Sequence, residues 1–152
     1  MARTTTRIAT ADDIARHLGR GHLETDPDTG EVIGVLNTAF DLKVARSEKE
    51  ASVNHLQYFT GDKIEQLKSI KVDMVNAGYT VGAQSAYAVV TVEAIEGCGK
   101  DSGVSLGVYR RPLENNLSHA GIRGLPLDNS NAELRERLAR EATKQVFGAS
   151  GL

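Results

Sequence analysis

Three short stretches hold most of the side chains that could do chemistry. "SVNHLQYF" (52–59) supplies Ser52, Asn54, His55 and Tyr58; "YRR" (109–111) supplies Tyr109, Arg110 and Arg111; "ENNLSHAGIR" (114–123) supplies Asn115, Asn116, Ser118, His119 and Arg123. Arginine offers a two-pronged donor to phosphate or carboxylate, and histidine exchanges a proton near neutral pH. One expectation follows: Asn54, Tyr58, Arg110, Arg111, Asn115, Asn116, Ser118 and Arg123 form a non-enzymatic binding surface for a partner protein or a small anionic ligand. The alternative is a small hydrolase of nuclease or phosphoesterase type, with His119 as general acid or base, His55 as its counterpart and Arg110 stabilising a developing anion. That alternative requires the two histidines to address one reacting centre, so a separation above about 10 Å excludes it. A purely structural role competes with both, because Asn and Ser in turns bond their own backbone and a loop histidine often pins the loop.

Other chemistries fail on spacing. "EAIEGCGKDS" (93–102) suggests a phosphate-binding loop, but Ala94 stands where a glycine is required, Asp101 where Ser or Thr is required, and a strand is expected where a helix should follow. The four histidines and the single Cys98 show no compact ligand spacing, and His17 and His22 straddle two glycines. Neither a metal site nor a cofactor is expected. There is no Gly-x-Ser-x-Gly elbow, nothing around Cys98 lowers its pKa, and Glu93 and Glu96 read as solvated.

The elements that must position these residues alternate between helical and strand periodicity. Thr10 and Asp13 have the form of a helix start, with Ile14 and Leu18 on one face, which predicts an N-terminal helix over 11–18. Turn chemistry at Asp26-Pro27-Asp28 and Gly30 separates strands at 21–25 and 31–43. Residues 51–59 fit either helix or strand. Thr60-Gly61-Asp62 caps a helix over 63–77, with Ile64, Leu67, Ile70, Met74 and Val75 at helical steps and Gly78 at its end. The β-branched runs 86–96 and 103–110 predict a hairpin turning through "GCGKDSG". Asn131 caps a C-terminal helix whose apolar side carries Leu134, Leu138, Ala139, Ala142, Val146 and Phe147. The fold class expected is α+β: a mainly antiparallel sheet with an N-terminal, a central and a C-terminal helix over one face.

At 152 residues the chain suits one domain, expected over 10–148 behind a flexible tail at 1–9. Its net charge of −2 lacks the basic footprint of general nucleic-acid binding. No apolar run is long enough to span a bilayer, no secretory signal is recognisable, and one cysteine suits a reducing compartment, so a cytoplasmic protein is expected. The amphipathic C-terminal helix could also pack on a copy of itself, making a homo-oligomer.

The S-V-N segment at 52–54, followed by a helix and then the late pattern Asn116-x-Ser118-His119-Ala120-x-Ile122-x-Gly124, resembles small uncharacterised bacterial proteins over roughly residues 36–145. The resemblance implies that Ser52, Val53, Asn54, Asn116, Ser118, His119 and Ile122 belong to the part that defines the group. It brings no established activity, although some such proteins look like components of multi-component defence or toxin systems.

Overall fold

The computed structural model describes residues 6–152. Strands β1 (Asp13–Leu18), β2 (Leu23–Thr25), β3 (Val32–Val35) and β4 (Glu50–His55) precede helix α1 (Lys63–Asn76). Then come β5 (Ala86–Thr91), α2 (Val92–Asp101), β6 (Gly107–Arg110), β7 (His119–Arg123), α3 (Ala132–Thr143) and β8 (Val146–Gly148). Six strands form one sheet in the order β6-β7-β4-β1-β5-β8, antiparallel throughout, and β2 and β3 form a separate hairpin. The α+β class and the antiparallel sheet stand as expected.

Three details of the expected layout are corrected. The N-terminal helix is instead β1, the strand that joins β4 to β5 at the middle of the sheet. Ile14 and Leu18 are four apart, which suits a helix face, but they are also two strand steps of two, and Ala15 is buried on the other side of the strand. The hairpin through "GCGKDSG" does not exist. Residues 92–101 are helix α2, capped by Thr91, whose hydroxyl accepts from the Ala94 amide at 3.1 Å, and β5 and β6 lie four places apart in the sheet. Gly99 makes this helix possible where it is: a Cβ there would stand 2.6 Å from the Val104 carbonyl oxygen and 2.7 Å from Leu106 Cγ. The helices also cover both faces. A large core gathers Ile14, Leu18, Val53, Ala88, Val90 and Ile122 under Ile95, Leu134 and Leu138 of α2 and α3. A smaller one packs Ala15, Tyr87 and Val89 under Leu67, Ile70 and Met74 of α1.

The remaining elements follow their local chemistry. Asp62 caps α1 by accepting from the Glu65 amide at 2.9 Å, and Gly78 takes the left-handed conformation (φ +94°) just beyond the helix. Asn131 caps α3, whose apolar side lies in the chain's own core, so self-association through that side is not available to it. Val146 and Phe147, expected on that helix, belong to β8. The expected strand over 31–43 is only β3, because Leu36 and Thr38 carbonyls accept from Ala39 and Asp41 amides in successive turns. Of the expected tail, residues 1–5 lie outside the described residues. Residues 6–8 run antiparallel to β6, with the Ile8 amide donating to the Val108 carbonyl and the Arg110 amide to the Thr6 carbonyl, both at 2.9 Å, and Ile8 is buried. Among the described residues no helix is long and apolar enough to cross a membrane.

Candidate functional site

Strand register decides which of the candidate residues meet. Asn54 pairs with His119, Ser52 with Gly121 and Glu50 with Arg123 across β4 and β7, while Tyr109 of β6 pairs with Gly121. Side chains of directly paired residues share a face and successive residues alternate. Ala51, Val53, Ala120, Ile122 and Val108 point into the large core. Glu50, Ser52, Asn54, His119, Arg123 and Tyr109 therefore project from the opposite face, over the half of the sheet that α1 does not cover.

The same alternation separates the two histidines. His55 follows Asn54 and so shares the core side with Val53; its Nε2 lies 2.8 Å from an Asp12 carboxylate oxygen. His119 faces the other way, and its Nδ1–H donates to the Arg111 carbonyl at 2.7 Å. Arg110 pairs with Ala120 and falls on the His55 side, so Arg110 and Arg111 do not form a tandem patch. Tyr58 sits in a single 3-10 turn after β4, its ring edge-on to Phe59.

The loop between β6 and β7 is fastened to β4 by buried amides. Asn54 Nδ2 donates to Asn116 Oδ1 at 2.7 Å and to Ser118 Oγ at 2.9 Å, and all three residues are buried. The backbone of Leu113 and Asn116 closes a tight turn in which Asn115 adopts φ +63°, a conformation asparagine tolerates better than most residues. Asn54, Asn116, Ser118 and His119 thus set the shape of the loop. With Nδ1 carrying the hydrogen, His119 Nε2 is a bare acceptor, buried and without a partner among the described residues. Burial lowers the His119 pKa, opposed in part by its bond to the Arg111 carbonyl and by nearby Glu50.

Beside this loop lies a dense charged cluster. Arg111 grips Glu50 with two parallel bonds, Nε to Oε1 and Nη2 to Oε2, both 3.0 Å and both side chains largely buried. The guanidinium carbons of Arg111, Arg7 and Arg123 stand 5.3, 5.5 and 5.7 Å from the centre of the Tyr109 ring, within the range of cation–π attraction. Two glycines form the floor. A Cβ on Gly107 would meet Arg7 Nη2 at 2.8 Å and Tyr109 Cε2 at 3.0 Å, and one on Gly121 would meet Glu50 Cδ at 3.0 Å. Long side chains can lie flat on the sheet because these positions have none.

No protein-family model, curated protein or solved structure matches this chain. Charge is the clearest feature of this face. Glu50 is bound by Arg111, and Arg7 reaches Glu96 only at 3.5 Å. The Arg123 side chain is exposed and makes no hydrogen bond or ion pair to any described residue. Glu50, Arg7, Gly107 and Gly121 did not stand out in the sequence. Glu50 lies 61 residues from Arg111, and only the β4–β7–β6 register brings them together.

Proposed function

We propose that this chain is a non-catalytic binding module that holds an oxyanion, phosphate or carboxylate, on the outer face of β4, β7 and β6. The observation that carries the reading is the gathering of three guanidinium groups around the Tyr109 ring, where Glu50 is gripped by Arg111 and the Arg123 side chain has no ion pair among the described residues. Like charges gathered around one ring repel, and an anion held between Arg7 and Arg123 would offset that cost while gaining charge-assisted hydrogen bonds. The histidines support binding over hydrolysis: His55 and His119 occupy opposite faces, His55 Nε2 against Asp12 and His119 held at Nδ1 by the Arg111 carbonyl with its other nitrogen buried.

Calorimetric titration of the purified chain with pyrophosphate and with a hexaglutamate peptide tests the reading and separates the two sources of oxyanion. Arg123→Gln should weaken whichever ligand binds about tenfold, or about 1.4 kcal/mol, and the affinity should fall as salt is raised. Equal affinity in wild type and Arg123→Gln, or no binding of either probe, refutes it. An adaptor role in a cytoplasmic multi-component bacterial system is the setting we propose for such a module.

A further inference from the structure

The oxyanion seat proposed above is divided between two parts of the chain. Arg123 and Tyr109 belong to the sheet, on strands paired to their neighbours by continuous ladders. Arg7 belongs to the N-terminal segment, which lies along the outer edge of β6 with the hydrogen bonds Ile8 N–H to Val108 O and Thr6 O to Arg110 N–H. From that edge Arg7 reaches inward over Gly107, touches the Leu106 carbonyl at 3.4 Å and comes to rest against Tyr109. We infer that docking of residues 6–8 on β6 and occupancy of the seat are coupled: an oxyanion held between Arg7 and Arg123 clamps the N-terminal segment to the sheet edge, and loss of the anion loosens it.

The inference rests on the binding reading and adds its regulation. Opening the segment withdraws Arg7, so the opened state offers the anion one guanidinium fewer and binds it less tightly. By linkage, a ligand that prefers the closed state suppresses opening by the same factor that closing improves its affinity. Opening also uncovers the β6 edge, a row of free N–H and C=O groups able to pair with another strand. The anion would thereby control whether that edge is available to a partner.

Amide hydrogen exchange on the full chain, with and without saturating pyrophosphate, reads this directly. Exchange of the Ile8 and Arg110 amides should slow about fivefold or more with the anion, while the amide of Ile70, deep in α1, should not change. Arg7→Gln keeps the backbone pairing and removes the charge. It should weaken pyrophosphate about tenfold and abolish the added protection even at saturation. Pyrophosphate binding that depends on Arg123 but leaves the Ile8 and Arg110 amides unaffected, or that is unchanged in Arg7→Gln, overturns the coupling and leaves the binding reading intact. Where hexaglutamate binds and pyrophosphate does not, the peptide replaces pyrophosphate in the exchange experiment; absence of binding by either probe, or binding indifferent to Arg123→Gln, overturns both.

Discussion

Asn54 is the donor of two buried hydrogen bonds, so its replacement shows how residue types with catalytic potential can serve a fold. Asn54→Ala leaves Asn116 Oδ1 and Ser118 Oγ without their donor in an interior they share with no bulk water. The cost should be about 2–4 kcal/mol in urea unfolding, larger than a neutral hydrogen bond because two acceptors are stranded. His119 is tied to the same loop and gives a pH signature. Burial lowers its folded-state pKa, so the unfolded chain takes up the proton more readily. Its contribution is complete above the unfolded value of about 6.5 and is lost as pH falls through that value towards the lower folded one. His17 shifts the same way, through burial first and Arg16 second, so both act together. His119→Asn can retain a donor towards the Arg111 carbonyl and cannot titrate. Between about pH 7 and 5 its stability should therefore decline less than that of the wild type, and an equal decline would assign the pH dependence elsewhere.

At the scale of elements, legibility followed how local the determining contacts are. Helices α1 and α3 could be read because their caps, Asp62 and Asn131, and their apolar stripes all lie within a few residues of one another. Helix α2 could not. Its cap, Thr91, sits inside a β-branched run, and its two glycines look like a turn until Val104 and Leu106 are seen packed against one of them. Strand β1 was hidden for a related reason, since Ile14 and Leu18 fit two periods and only the partners β4 and β5 choose between them. The site divided in the same way: the polar loop residues stood out by type, whereas the grip of Arg111 on Glu50 depends on register between distant strands. Gly99→Ala tests the account of α2. On an open helix surface the change should stabilise by up to about 1 kcal/mol, but here the added methyl overlaps the Val104 carbonyl and Leu106, so a loss of about 1–3 kcal/mol is expected in thermal or urea unfolding. A gain in stability would mean that the helix and the 104–106 segment can separate at no cost.

The sheet divides the interior of the whole molecule into two clusters of unequal size, yet the same strands build both. In β1, Ile14 and Leu18 belong to the large cluster and Ala15 to the small one; in β5, Ala86, Ala88 and Val90 alternate with Tyr87 and Val89 in the same way. Loosening one face must disturb the strands that hold the other. The contacts that join them are also distant in sequence, for β1 pairs with β4 and β5 and β4 pairs with β7. Neither half can therefore close without the other, and the closure of such long loops places refolding in the millisecond-to-second range. Leu67 is fully buried in the small cluster under α1, well away from the large core. Leu67→Ala should cost about 2–5 kcal/mol, the usual range for a buried leucine, and should move the entire transition rather than detach α1 from it. Far-UV circular dichroism reports all three helices, and tyrosine fluorescence includes Tyr87 beneath α1, so the two signals sample different parts of the molecule. In wild type and Leu67→Ala alike the two urea curves should superimpose. A fluorescence transition preceding the dichroism one in the variant would show that the smaller cluster melts by itself and that the shared strands do not couple the faces.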